Sequence, residues 1–410
     1  MITRRLMLKA AGSGLVLAES APLLATAAWA AVADPAAEYL PAGTVAESVL
    51  EALPGKRPLI KRTYRPPNYE TPVAYFNETY TPNDAFFVRY HLSEIPRVDA
   101  ATWQLKVSGD AAERPVAVTL VELKRDFEQV ELAAVCQCSG NRRGLSDPHV
   151  AGVEWGYGAM GNAKWKGVRL KDVLAKAGVK KEAIEVAFHG ADGPVMQETP
   201  KFQKSLPLWK ALDENTIIAY EMNGQPLPHW NGFPARLIAA GWTGTYWMKH
   251  LTDLMVISEP FKTFWLNTAY RIPTGKFPLV DRFLTQEAPG STPITEIVVN
   301  SLITNLRGGE KIPADQPFTL RGIAWDGGYG IQLVEVSGDG GKSWRTATLG
   351  PDLGRFAWRQ WSYPMTPAKG SHTVMAKATN TAGGTQTFKA IWNGAGYHHN
   401  VVERIAFQAV

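Results

Sequence analysis

Cross-links cannot define this fold. The 410-residue chain holds two cysteines, Cys136 and Cys138, with one residue between them. Cysteines that close in sequence rarely reach the geometry a disulfide demands, so packed apolar cores must hold the structure. A chain of this length supports about two domains with substantial cores. Its 45% hydrophobic and 20% charged content is that of an ordinary globular protein. The net charge of +5 comes without a concentrated Lys/Arg stripe, which argues against a nucleic-acid partner and leaves a mild pull on small anions.

The first thirty residues read as an address. Arg4-Arg5 precedes a moderately apolar stretch from Ala10 to Ala28, and Ala28-Trp29-Ala30 and Ala31-Val32-Ala33 both resemble small-residue cleavage sites. Paired arginines in that setting suggest a twin-arginine export signal over residues 1–33, for a protein that crosses the membrane already folded. A membrane anchor is disfavoured because Gly12, Gly14, Glu19, Ser20 and Pro22 interrupt the segment. No later stretch reaches the roughly 18 apolar residues a span needs. The expectation is a periplasmic protein without a membrane span in its mature form.

Residues 34–80 are polar and proline-rich, with Pro54, Pro58, Pro66, Pro67 and Pro72, and read as an extended arm. Residues 81–285 mix strand-like runs (101–107, 116–120, 184–188) with helical turns (121–126, 170–177), as in an α+β domain. No Gly-x-Gly-x-x-Gly opens a helix, so a nicotinamide cofactor is not expected. From 286 to 410 the pattern turns to short β-rich runs at 294–300, 318–324, 332–337, 344–349, 355–363 and 372–378. Turns such as Asp326-Gly327-Gly328 separate several of them, a spacing that suggests an immunoglobulin-like sandwich.

The chemistry concentrates in Cys136-Gln-Cys138-Ser-Gly-Asn-Arg142-Arg143. A thiolate is a soft ligand for a transition metal, and arginine grips an oxyanion through two parallel hydrogen bonds. One loop could thus hold a metal and an anionic substrate. A buried thiol beside two surface arginines is the plainer alternative, and this segment alone does not choose between them.

Further segments bear on that choice. Cys138-Ser-Gly-Asn-Arg-Arg143 resembles the ligand loop of the sulfite oxidase family of molybdenum enzymes, in which one cysteine binds a metal carried by a pterin dithiolene. Phe86-Phe87-Val88-Arg89-Tyr90-His91, Gly158 to Trp165, Ala219 to Leu227, Gly232 to Arg236, Gly241 to Lys249 and Trp265 to Tyr270 resemble other segments of that family in the same order. Together they cover nearly all of the chain after the leader. The resemblance implies a sulfite-oxidase-type molybdopterin domain followed by an all-β immunoglobulin-like sandwich that mediates dimer or partner contact.

It also implies roles. Cys138 is the metal ligand, and Cys136, outside the matched position, is a core residue. Arg89, Arg143 and Trp165 shape an anion pocket, with His91 and Tyr270 completing the catalytic set. Tyr90, His91, Asn231, Arg236 and Lys249 contact the cofactor, the last two at the pterin phosphate. Animal relatives carry a further pocket arginine in a Gly-rich turn where this chain has Gly330. No Cys-x-x-Cys-His or other redox motif is present, so there is no haem in this chain. The implied activity is that of the family's bacterial periplasmic sulfite dehydrogenases: sulfite to sulfate at molybdenum–molybdopterin, with electrons leaving to a c-type cytochrome. A sulfane-sulfur dehydrogenase acting on a carrier-bound sulfur keeps the cofactor and changes the substrate. A methionine sulfoxide reductase fits less well, because such relatives generally lack the β domain. A non-enzymatic β-sandwich binding protein would carry no molybdenum at all.

Overall fold

The computed structural model describes residues 49–194, 196–274 and 290–410. The segment read as an export leader and the arm up to residue 48 lie outside the described residues. Most elements are strands and the helices are short.

Residues 49–89 do more than wrap. Val49–Glu51, Leu59–Thr63 and Asn68–Glu70 form an antiparallel sheet, and Asn68–Glu70 pairs on with Val88–Arg89, placing Asn68 opposite Arg89. The six prolines of this stretch fall between strands, where a missing N–H costs no ladder bond. Polar sequence disguises the sheet, since Asn68 and Glu70 are buried beside Tyr69. Their side chains are used inward, as described below.

The central unit has two larger sheets. One runs Gln203–Pro207, Glu185–Gly190, Leu251–Ile257, Gln104–Ser108, Val116–Thr119, with Leu251–Ile257 parallel to Gln104–Ser108. The other runs Gln225–Pro226, Thr216–Met222, Met160–Arg169, Gln129–Gln137, with Arg236–Ala239 also on Thr216–Met222. The helix Leu120–Asp126 starts in a capping box between Thr119 and Glu122. The helix Leu170–Ala177 buries Leu170, Val173, Leu174 and Ala177, one face at helical spacing. Gln129–Gln137 carries Cys136 opposite Gly161. A Cβ at Gly161 would stand 2.5 Å from the Phe86 ring, so glycine lets that ring pack under the cysteine strand.

The last unit is the expected all-β sandwich. Asn300–Ile303, Phe318–Trp325, Arg359–Met365 and Thr348–Leu349 form one sheet, and Lys311–Ile312, Glu403–Ala409, Gly370–Asn380, Ile331–Ser337 and Arg345–Thr346 the other. Leu320, Trp361, Val334, Ala376 and Phe407 fill the space between them. The strand read at 294–300 begins only at Asn300. The residues before it bond to the central unit instead, where Ile297 N donates to Gly241 O and Thr295 O accepts from Thr243 N. The two units share a core containing Val135, Met160, Trp325 and Trp358. Trp325 Nε1 donates to Gln137 Oε1 (2.6 Å), beside the cysteines. The cysteine strand is therefore braced from both sides.

Candidate active site

Beyond Gln137 the chain leaves the sheet, and the next turn is held by its own polar groups. Cys138 N donates to Ala159 O (2.9 Å) and Asn141 N to Cys138 O (3.0 Å). Asn141 Oδ1 accepts from Ala159 N (3.0 Å), and Ser139 Oγ donates to Thr243 Oγ1 (2.9 Å). The facing loop is fixed from behind by Glu70, whose carboxylate accepts from Gly156 N (2.9 Å), Gly158 N (2.7 Å) and Arg62 Nε (2.8 Å). Cys136 and Cys138 both reach the wall of one cleft. Burial pushes the Cys136 thiol up to about 11 despite the nearby Arg236, so it stays protonated at neutral pH.

The cleft encloses about 640 Å³ of space, counting the part open to solvent. Its lining is cationic: Arg89, Arg236 and Lys249 against a single carboxylate, Asp192, among the described residues. Burial drives Lys249 well below the ordinary lysine range, with Asp192 pulling the other way. Burial also lowers Arg236, offset in part by Cys136 and Tyr90. Two buried donors on this wall, Arg236 Nε and Thr245 Oγ1, have no hydrogen-bond partner. An unmade buried hydrogen bond costs about 1–3 kcal/mol. Cations and unpaired donors crowded together ask for a polyanion with acceptor oxygens, and a phosphate-bearing cofactor meets that demand.

The other end of the cleft is better balanced. Val88–Arg89 pairing delivers Arg89, whose Nη1 donates to Asn68 Oδ1 (3.2 Å) and to Tyr90 O, and whose Nη2 donates to Tyr270 Oη (3.4 Å). Burial opposes its charge, but Tyr270 and Cys138 outweigh that and raise its pKa. His91 stacks on Phe202 (centroids 3.6 Å apart), and its Nε2 meets Tyr270 Oη. Burial, then Arg89 and Lys249, hold His91 well below its ordinary value, so it is neutral at pH 7. Burial keeps the Tyr270 phenol protonated against the pull of Arg89. Tyr270 itself sits at φ +61°, a left-handed conformation that costs a side chain about 1–3 kcal/mol. Surrounding contacts hold it there, among them Ile294 N donating to Tyr270 O (2.8 Å).

Of the residues singled out in the sequence, Arg89, His91, Cys138, Asn231, Arg236, Lys249 and Tyr270 converge on this cleft. Tyr90 lies behind the wall. Its hydroxyl meets His250 Nε2 (2.7 Å) while its ring lies under Lys249 Nζ, 2.9 Å from the centroid. Trp165 is fully buried, donating to Ala134 O (3.1 Å) with the Arg236 guanidinium 5.2 Å over its ring. It is a floor for Arg236 rather than a cleft surface. Arg143 points to the C-terminal unit instead, with Nε donating to Ala395 O (2.6 Å) and Cζ 5.2 Å from the Tyr397 ring centroid. The Asn231 amide is already engaged, accepting from Lys56 Nζ (2.6 Å) and donating to Phe87 O (3.1 Å).

Sequence reading missed Asp192, Thr245, Phe202, Lys56, Lys204 and Tyr397. Asp192 carried a signal, the turn Gly190-Ala191-Asp192-Gly193 at a strand end. Lys204 carried none, yet its buried Nζ donates to Trp265 O (2.7 Å) and stands 5.3 Å from the Tyr270 ring centroid.

Among the described residues no three His, Cys, Asp or Glu side chains assemble to hold a metal by themselves. A metal at Cys138 has to bring further ligands with it. Residues 91–265 match the family model of the oxidoreductase molybdopterin binding domain, and residues 291–409 that of the Mo-co oxidoreductase dimerisation domain. Fold and site thus define a molybdopterin oxidoreductase with an appended dimerisation domain. The chain is 34% identical over 369 residues to the mitochondrial sulfite oxidase of Homo sapiens (86% of this chain, 66% of that protein). It is 32% identical over 370 residues to the sulfite oxidase of Gallus gallus (86% and 79%). An NAD(P)H nitrate reductase of Hordeum vulgare is 32% identical over 349 residues, which is 79% of this chain and 39% of that protein. The fold also matches the crystal structure of the sulfane dehydrogenase SoxCD from Paracoccus pantotrophus, with a TM-score of 0.72 at 24% identity, covering 85% and 88%. The chain belongs to the sulfite oxidase family of molybdenum enzymes, and its cofactor is molybdenum–molybdopterin. It spans about two thirds of the length of the human relative.

Proposed function

We propose that this protein oxidises sulfite to sulfate in the periplasm, after twin-arginine export, and passes the electrons to a c-type cytochrome. The observation that carries this reading is the convergence of Arg89, His91 and Tyr270 beside Cys138 at the balanced end of a buried cationic cleft. In this assignment the Cys138 thiolate ligates the metal, and Arg236, Lys249 and Thr245 grip the pterin phosphate. Tyr90 and Asn231 back that grip through Lys249 and Arg236. When bound, the molybdenum–pterin group supplies the two-electron redox chemistry.

The chain's own part is positioning, charge and proton control. Arg89 offers a half-buried guanidinium to a small oxyanion in a setting of reduced water, where such a contact is worth more than in bulk solvent. Tyr270 Oη accepts from Arg89 and, with His91 neutral, donates to His91 Nε2. The pair can hold a proton next to the reacting centre and hand it on. Positive charge at Arg89 biases the pocket toward anions. The C-terminal sandwich supports contact with a second copy or a partner subunit, since it matches a dimerisation domain.

The test is sulfite-dependent reduction of cytochrome c by the purified holoenzyme, beside a Cys138→Ser variant. Rapid turnover that vanishes in the variant supports the proposal. A molybdenum-loaded enzyme that ignores sulfite sinks it, and thiosulfate-loaded carrier protein and nitrate are then the substrates to try.

A further inference from the structure

The C-terminal unit sends a side chain into the neighbourhood of the cleft that the proposed chemistry leaves unused. Tyr397 is only 4% exposed and belongs to the core of the central unit, not to that of its own sandwich. Its ring lies parallel to that of Tyr270, with centroids 5.7 Å apart and planes 10° apart. The segment carrying it is built around one amide: Asn393 Nδ2 donates to Tyr397 O (2.7 Å), and Asn393 Oδ1 accepts from Tyr397 N (3.0 Å). Gly396, at φ +61°, lies so close to Arg143 that a Cβ would come within 2.7 Å of its Cγ. Arg143 then covers the Tyr397 ring. The side chain is thus held firmly from three sides.

Its hydroxyl is not. Enclosed phenols usually find a partner or a water, yet Tyr397 Oη makes no hydrogen bond to any described residue. The charges it feels are those of Tyr270, Arg143, Cys138 and Arg89, three of which line the cleft. A rigid phenol with an unused donor, set among the groups that receive the substrate, is a built half of a hydrogen bond.

We propose that Tyr397 is a substrate-binding residue contributed by the C-terminal unit, donating its hydroxyl to an oxyanion oxygen held by Arg89. This inference rests on the reading of the cleft as a sulfur-oxyanion site. It gives the sandwich a role in specificity: the second unit completes the pocket with a neutral donor that fits acceptor oxygens and offers nothing to an apolar sulfur chain.

Tyr397→Phe keeps the ring stack and removes only the hydroxyl. In the holoenzyme the expected result is a sulfite KM and a sulfate dissociation constant (by calorimetry) both raised about tenfold or more, with kcat changed far less. The melting temperature and molybdenum content should stay at wild-type values. If Tyr397→Phe binds sulfate as the wild type does, while Tyr397→Ala weakens it, the ring merely supports Tyr270 and the proposal is overturned. A wild-type enzyme that neither turns over sulfite nor binds sulfate overturns the oxyanion reading itself, and this proposal with it.

Discussion

The two ends of the cleft are both cationic, but they are not equivalent. At the Arg236–Lys249 end, burial dominates both pKa values and two donors are left unpaired. At the Arg89 end, the guanidinium has Asn68, Tyr90 and Tyr270 as partners and keeps its charge. The first arrangement is costly until a permanent anion arrives, which suits a cofactor taken up once. The second is already preorganised, as fits a ligand that must enter and leave on every turnover. Electrostatic demand within one cavity thus separates what is retained from what is exchanged.

That contrast can be broken by a pair of variants. Arg89→Met should lower kcat/KM for sulfite by about 10²–10³-fold, the scale for removing a preorganised charge donor, while molybdenum content per protein stays unchanged. Arg236→Met should do the reverse. It should cut molybdenum and pterin retained after gel filtration by about tenfold or more, because charge-assisted hydrogen bonds are worth about 1.5–3 kcal/mol each. The fraction that still carries cofactor should turn over with a near-normal KM. If Arg89→Met loses cofactor, or Arg236→Met instead raises KM at full loading, the two ends are not separate in the way described here.

A third variant probes the scaffold that both ends share. Glu70 and Arg62 form a buried ion pair at 2.8 Å, with side chains 2% and 8% exposed, and the same carboxylate holds the amides of Gly156 and Gly158. Glu70→Gln takes the carboxylate charge away from the Arg62 guanidinium and from both loop amides. Breaking a buried pair on one side costs about 3–5 kcal/mol, and the loop facing Cys138 loosens with it. Urea unfolding of the cofactor-free protein should show that loss, and sulfite turnover should fall in the same variant. A loss under about 1 kcal/mol, the scale of an exposed pair, would mean that Glu70 does not brace the site.

How much of this was legible in the sequence depends on where each residue's information lies. The sandwich runs at 318–324 and 332–337 could be read because alternation and glycine turns are local signals, and observed strands cover both. Cys138 could be singled out as well, because a soft-ligand candidate is a local signal, and it lies on the cleft wall. The sheet at 49–89 was hidden because its buried positions Asn68 and Glu70 are polar, and their partners lie across the fold. Arg143 was assigned to the anion pocket by its neighbours in sequence, yet its guanidinium contacts a segment some 250 residues later. Tyr397 and Lys204 could not be found at all, since each gains its setting only when distant segments pack onto the strand or turn beside Tyr270.

The smallest effect concerns the ammonium behind the phosphate end. Lys56 Nζ is buried and donates to Asn83 O (2.6 Å), Phe86 O (3.0 Å) and Asn231 Oδ1 (2.6 Å), and Asn231 O in turn accepts from Arg236 (3.0 Å). Burial lowers its pKa from 10.5 to about 7, only partly opposed by Asp84. Between those values the unfolded chain holds a proton that the folded chain has released. Stability therefore rises with pH across that window, by at most about 1.4 kcal/mol per unit. Below about pH 7 the group is charged in both states and adds no slope. In the cofactor-free protein, wild-type stability from urea unfolding should climb between pH 7.5 and 9.5, roughly the middle of that window, relative to Lys56→Met, whose curve lacks this contribution. Parallel curves would mean that Lys56 keeps its proton in the folded state. The phosphate end would then carry a full positive charge at Lys56 beside Arg236 even when empty, and the contrast between the two ends would be larger still.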